Sequence, residues 1–336
     1  MIDWSSKRVL VTGGTGSFGN FIVRRLLTLC AQEVRILSRD EKKQYDMRIL
    51  YENRPDLTFA IGDIRDRSSV DDAMEDINIV IQAAALKQVP TCERFPMEAI
   101  RTNTLGVANV VASALAHRVE RLVCVSTDKA VKPVNVMGMT KALQERLVLQ
   151  ANLSRTNHGT LLACVRYGNV LRSRGSAIPF FRGLISQHKP IVITDERMTR
   201  FLLTLEDAID LVIFAADSMT GGEVFVRKAP AARVMDLARE LCQQAGVPFE
   251  YEVIGAYPGE KLSEILLSEE EVERTADCGD FYQVLPWWRG QRPRCLNSEY
   301  CSSDELLDLS NLRELIERAD LEFERLEMPM GEYARF

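Results

Sequence analysis

Short apolar runs and helical stretches alternate from the first residues of the chain. The runs Arg8–Val11, Val34–Leu37, Leu57–Ile61, Ile77–Gln82, Arg121–Val125 and Thr160–Val165 read as buried strands. Helical segments separate them, notably Phe18–Cys30, Pro96–His117 and Met139–Leu153. Strands apolar along their whole length need cover on both faces, and helices between them supply it. The expected fold is therefore α/β, a Rossmann-type doubly wound parallel sheet. From about Gly168 the pattern is less regular, with short strands at Ile191–Thr194, Val224–Val226 and Glu250–Ile254 and helices at Glu206–Ala216 and Val234–Gln244. This predicts a smaller C-terminal α/β lobe. Leu306–Leu326, rich in Leu and Glu, reads as a helix that packs on a neighbour.

Composition narrows the classes. The chain has 336 residues, 46% hydrophobic and 27% charged, which suits a soluble protein with a sizeable core. Its net charge of −6 argues against nucleic acid as the main partner. Met1–Lys7 lacks the apolar run of a signal peptide, and no stretch is long enough to cross a bilayer. The eight cysteines form no Cys-x-x-Cys pair and read as small hydrophobes in a reducing compartment, so a cytoplasmic location is expected. His117, His158 and His188 are scattered, and Asp and Glu show no ligand spacing, so no metal site is expected.

The first strand runs into Thr12-Gly13-Gly14-Thr15-Gly16-Ser17-Phe18-Gly19, a G-x-x-G-x-x-G spacing that opens the first helix. Glycines let a pyrophosphate approach the backbone, where a helix N-terminus offers free N–H groups. At this place in a βαβ unit the loop predicts dinucleotide binding. The second strand ends in Ser38-Arg39-Asp40-Glu41-Lys42-Lys43, cationic where an NAD site usually has its first acid. A solvated helix start is the plain alternative; the cations favour NADP over NAD. Asp63 is placed for the adenine, beside Ile64, and Ala83, Ala84 and Ala85 keep the path past the cofactor narrow. Thr15, Ser17, Phe18, Lys87, Asn103, Ser126, Lys141, Tyr167 and Asn169 complete the candidate cofactor contacts with Gly13, Gly16, Gly19, Ser38, Arg39, Asp40 and Lys43. The expected division is a dinucleotide domain over 1–168 to which later segments return, a substrate lobe over 169–277, and an extension over 278–336 suited to an oligomer contact.

Ser126 ends the fifth strand, at the edge where open α/β sheets bind ligands. Thr127, Asp128 and Lys129 follow, a hydroxyl, a carboxyl and an ammonium in consecutive positions. Farther on, Met137 and Lys141 stand four apart, the spacing of a Tyr-x-x-x-Lys pair in which the ammonium assists a phenolate base. A thioether cannot exchange that proton. Thr127, Asp128, Lys129, Met137 and Lys141 are the candidate catalytic residues.

These segments, with Arg166-Tyr167-Gly168-Asn169-Val170, Ser173-Arg174-Gly175, Met198-Thr199-Arg200-Phe201 and Gly259-Glu260-Lys261, resemble the extended short-chain dehydrogenases that act as inverting UDP-N-acetylglucosamine 4,6-dehydratases. The capsular-polysaccharide subgroup also carries Met-x-x-x-Lys. The resemblance implies oxidation at C4, loss of water across C5–C6, hydride return to C6 and inversion at C5. It implies a UDP-sugar substrate held by Lys87, Asn169, Arg174, Thr194, Arg200 and Glu260, and a homo-oligomer. Asp128 would serve O6, Lys129 would serve C5, and O4 would lose its proton to Lys141 through water or to the Asp128–Lys129 pair. Tyr257 replaces the family's arginine in Arg-x-Gly-Glu-Lys, which puts one substrate contact in doubt. A UDP-sugar 4-epimerase, a retaining 4,6-dehydratase and a non-catalytic NADP-binding sensor are the alternatives.

Overall fold

The computed structural model describes residues 1–173, 175–290 and 294–327, with side chains through Arg325. Six parallel strands open the chain: β1 Arg8–Thr12, β2 Glu33–Ser38, β3 Leu57–Ile61, β4 Ile79–Gln82, β5 Arg121–Val125 and β6 Leu161–Arg166. They lie in the order β6-β5-β4-β1-β2-β3 and pair in parallel throughout. Val224–Arg227 adds a seventh parallel strand beside β6, and the antiparallel strands Phe281–Val284 and Thr275–Asp277 finish that edge. The doubly wound sheet is as the sequence pattern requires, and Val224–Arg227 belongs to it rather than to the lobe.

Alternation within the strands explains the two-sided cover. Leu10, Val80, Leu122 and Cys164 enter one hydrophobic cluster; Val9, Val11, Ile79, Ile81, Val123 and Val165 enter the opposite one. Each such side chain, fully buried, contributes about 1.5–3 kcal/mol. The switch in strand order between β1 and β4 opens a crevice at their carboxyl ends, and the site lies there.

The smaller lobe has its own core, in which Ile178, Phe181, Ile191, Ile193, Leu237 and Leu241 meet Leu312, Leu315 and Ile316. The last three sit on the helix Leu309–Glu327, so this helix packs on its own chain. The neighbouring strand Tyr300–Cys301 pairs with Ile265–Leu267. The extension therefore returns to the body of the molecule. Among the described residues no helix is long and apolar enough to cross a membrane.

Two helices begin differently from the sequence pattern. Val136–Gln150 starts three residues before the expected Met139, because the Asn135 side chain caps it by accepting from Gly138 N at 2.8 Å. Pro96–His117 is interrupted by a wide π turn over Ile100–Gly106. That turn carries Thr102 to the crevice and Asn103 behind it.

Candidate active site

A cleft of about 1010 Å³ runs along the carboxyl ends of the strands. Gly13, Thr15, Gly16, Ser17, Phe18 and Gly19 form its floor, with Ser38, Arg39, Asp40, Lys43, Asp63 and Ile64 at one end. Ala83, Ala84, Ala85 and Lys87 form one wall, and Ser126, Thr127, Lys129, Met137, Lys141, Tyr167 and Asn169 the other. Residues far apart in sequence thus converge on one groove.

The floor fits a nucleotide. Gly13 has φ +69°, and a Cβ there would lie 3.0 Å from the Ala84 backbone, so only glycine keeps the loop this close to β4. The helix Ser17–Thr28 starts at Gly16 without a side-chain cap, and the N-terminus of a helix favours an anion. Tyr167 stacks on Phe18 at 6.3 Å and 20°, closing the groove from the side. Burial raises the Tyr167 hydroxyl well above its ordinary pKa, so it holds its proton. The Ser126 hydroxyl and the Asn169 carbonyl oxygen line the groove, are buried, and lack a hydrogen-bond partner. Buried polar atoms of that kind belong where a bound molecule completes them.

The acidic and basic groups at the second strand's end divide their work. Asp40 caps the helix Glu41–Leu50, accepting from Lys43 N at 3.0 Å, and pairs with Lys43 Nζ at 2.7 Å. Arg39 is more than half exposed and reaches Asp63 only at 3.5 Å. Asp63 is gripped by Arg65 at 2.7 Å; burial alone would raise its pKa, but this hydrogen bond keeps it below the usual carboxylate range.

The polar trio predicted from the sequence sits on and just before the turn Asp128–Ala130, after β5. Asp128 has no exposed surface. Its Oδ1 accepts from Thr127 Oγ1 at 2.8 Å and Lys129 Nζ at 3.0 Å, while its Oδ2 is buried without a partner. Lys129 therefore lines the cleft, and Asp128 sits behind it. Burial pulls the Lys129 ammonium toward neutrality, but Asp128 and Glu264 outweigh it and raise its pKa, so Lys129 carries its proton at rest.

Met137 is buried against Cys92 and Ala99, with Leu86 and Val89 beside it. One turn later, Lys141 donates to Val125 O at 2.9 Å and Gln144 Oε1 at 3.0 Å. Desolvation lowers its pKa below that of an ordinary lysine. Asn103 does not touch the cleft. It bonds the Leu86 backbone in both directions, at 2.8 and 2.9 Å, and donates to Thr140 Oγ1 at 3.1 Å, bracing the wall against the Met137 helix.

The substrate residues separate. Lys87 and Asn169 line the cleft; Arg174 lies outside the described residues. Thr194, Arg200 and Glu260 are off the cleft wall, because local partners hold each one. Thr194 Oγ1 faces Met198 Sδ at 3.1 Å, and Arg200 donates to the carbonyls of Thr199 and Leu262 at 2.7 and 3.2 Å. Glu260 accepts from Tyr257 N at 3.0 Å within a closed turn, so the tyrosine supplies its backbone here. Arg200 does line a small cavity of about 30 Å³ that shares Asn169 and Ser176 with the cleft.

The family model described as "Polysaccharide biosynthesis protein" matches residues 9–286. The chain belongs to the polysaccharide biosynthesis protein family. Within this family's reach, a protein of Rickettsia felis named UDP-glucose 4-epimerase is 44% identical over 335 residues, covering 95% of this chain and 98% of its own. The solved structure of Pen from Bacillus thuringiensis superposes with a TM-score of 0.90 at 34% identity, covering 95% of this chain and 99% of that one. DesIV of Streptomyces venezuelae, a dTDP-glucose 4,6-dehydratase solved with NAD and TYD bound, shares the fold at a TM-score of 0.68 and 20% identity over 76% of this chain and 86% of its own.

Proposed function

We propose that this polysaccharide biosynthesis protein is a nucleotide-sugar enzyme that converts UDP-N-acetylglucosamine to a UDP-2-acetamido-2,6-dideoxy-4-hexulose with inversion at C5. The observation that carries this reading is the Asp128–Lys129 couple, an acid–base pair with its ammonium on the cleft and its carboxylate sealed behind. When bound, a nicotinamide would take the C4 hydrogen and return it to the sugar. Gly13, Gly16, Ser126, Lys141 and Tyr167 would hold that cofactor, and Lys87 and Asn169 the sugar nucleotide.

The protein's own groups then move protons. Removal of water carries one proton from C5 to O6, and Lys129 can trade it between those atoms. Inversion then requires a second proton on the opposite face of C5, balanced by the one released from O4. Lys129 is the couple's face on the substrate; Asp128 stabilises the charged form and Thr127 fixes the carboxylate's orientation. This replaces a strict division of O6 to Asp128 and C5 to Lys129. Lys141, with its depressed pKa, suits the O4 proton that a tyrosine would otherwise take. The cofactor reading is NADP: Arg39 is free to turn toward a 2′-phosphate, while Asp40 is engaged as a helix cap.

A second reading, a UDP-hexose 4-epimerase, is favoured by the name of the Rickettsia felis relative. That reaction moves a proton only at O4 and needs no exchange at C5 or O6. Lys129→Met, which keeps length but removes the ammonium, tests the choice. Formation of the 4-keto product is expected to fall by about 100-fold or more, with NADP⁺ affinity unchanged. Wild-type turnover in this variant would refute the proposed role.

A further inference from the structure

Behind the cleft, a second buried carboxylate approaches the same ammonium. Glu264 is 2% exposed, and its Oε1 lies 3.2 Å from Lys129 Nζ, almost as near as Asp128. It stands immediately before the strand Ile265–Leu267, whose Leu266 and Leu267 pack into the core of the main sheet. Three cations surround it from three segments: Lys129 from the turn after β5, Lys261 at 3.7 Å, and Arg200 at 3.9 Å from the strand Thr199–Leu203. Its Oε2 is buried without a hydrogen-bond partner. Packing alone has no use for a carboxylate here, since an isolated one is costly to bury and a methyl-bearing side chain would fill the space.

The backbone of Glu264 is held as firmly as its side chain. Its N–H donates to Ser302 Oγ at 2.9 Å and its carbonyl accepts from Ser302 N at 2.8 Å. Ser302 Oγ also meets Thr199 Oγ1 at 2.8 Å. The C-terminal segment thus reaches the catalytic turn through one residue.

We propose that Glu264 is a positioning residue for Lys129, clamping the ammonium between two carboxylates and linking the charge of the couple to the seating of the C-terminal segment. This rests on the reading of Asp128–Lys129 as the proton-exchanging couple. Glu264 does not face the cleft, so it acts through Lys129 and not on the sugar. The charged groups around Lys129 are Asp128, Glu264 and, more distantly, Arg200, with Lys261 on the far side of Glu264. Removing Glu264's charge leaves Lys129 with Asp128 alone against Arg200 and Lys261.

Competitive labelling of lysine amines across pH, read by peptide mass spectrometry, tests this without substrate. In Glu264→Gln the labelling midpoint of Lys129 is expected to fall by about one unit or more relative to wild type. Lys141, which bonds Val125 and Gln144 instead, is expected to keep its own midpoint. Turnover should follow, with kcat down about 10–100-fold, KM within about twofold and the basic limb of the pH profile displaced downward. Glu264→Asp keeps the charge but draws it back by one methylene, and should recover part of the loss. If Glu264→Gln does not fold, the aspartate variant carries the same test with a smaller displacement. A Lys129 midpoint equal to wild type in the variant that folds overturns the proposal. Failure of the wild-type protein to act on any UDP-hexose would count against the reaction and leave the labelling result standing.

Discussion

At the scale of single residues, the sequence shows which groups gather but not which way they face. Thr127, Asp128 and Lys129 stand out in the sequence because three consecutive polar groups at a strand end are unusual for packing, and the structure brings them together through hydrogen bonds on Asp128 Oδ1. Their orientation is set by what surrounds the turn: Asp128 points inward and Lys129 outward. Glu264 escaped notice for the opposite reason, since a lone Glu before a short strand looks like a solvated charge. Thr194, Arg200 and Glu260 looked like ligand contacts, but local carbonyls, a thioether and a turn amide satisfy them. At the cofactor end, Arg39 remains exposed and weakly held. Arg39→Ala is expected to weaken NADP⁺ binding by about 10-fold while leaving NAD⁺ nearly unchanged, because a phosphate loses a charge-assisted contact of about 1.5 kcal/mol or more. Equal loss for both cofactors, measured by fluorescence titration, would remove the basis for preferring NADP.

At the scale of elements, strands were the most legible because their apolar runs are short and uninterrupted. The helix Val136–Gln150 was read as starting late, since Pro133-Val134-Asn135 resembles a loop and the cap is visible only through its bond to Gly138. That same glycine shows why the helix sits where it does. A Cβ on Gly138 would stand 2.2 Å from the Lys129 carbonyl oxygen, so helix and catalytic turn touch backbone to backbone. Gly138→Ala must push them apart. The expected cost is about 1–3 kcal/mol of stability, with kcat reduced at least about 10-fold as Lys129 shifts relative to Lys141. Thermal unfolding and steady-state rates of this variant measure both; wild-type values for both would show that the contact is slack.

At the scale of the whole molecule, a buried ionic cluster that no sequence pattern announces ties distant segments together. Arg166, at the end of β6, binds Glu145 at 2.8 and 2.6 Å and Glu271 at 2.8 Å through two nitrogens. It joins the helix Val136–Gln150, the sheet and the short helix Glu269–Val272. Glu145→Ala would leave the guanidinium with Glu271 alone and its Nε without a carboxylate partner, and is expected to cost up to about 3 kcal/mol in urea unfolding. Burial would raise the pKa of Glu271, but Arg166 overrides it and holds it at about 2, against an ordinary value of 4.5. A depressed carboxyl stabilises the fold above pH 4.5 and loses that contribution as pH falls toward 2. The loss is on the order of 3 kcal/mol. Acid unfolding of Glu271→Gln should therefore lack most of this slope between pH 4.5 and 2.

The alternation of strands and helices made the fold readable from the chain, and the glycine loop made the cofactor end readable. Long-range closure by Ser302, Glu264 and Arg166 was not, because each joins segments far apart in sequence. The most direct measurement of the proposed chemistry is the NMR spectrum of the product made from UDP-N-acetylglucosamine in heavy water. A 6-deoxy-4-keto sugar with inverted C5 and deuterium at that carbon is the expected result. A 4-epimer that retains its hydroxyl at C6 and carries no deuterium at C5 would contradict it.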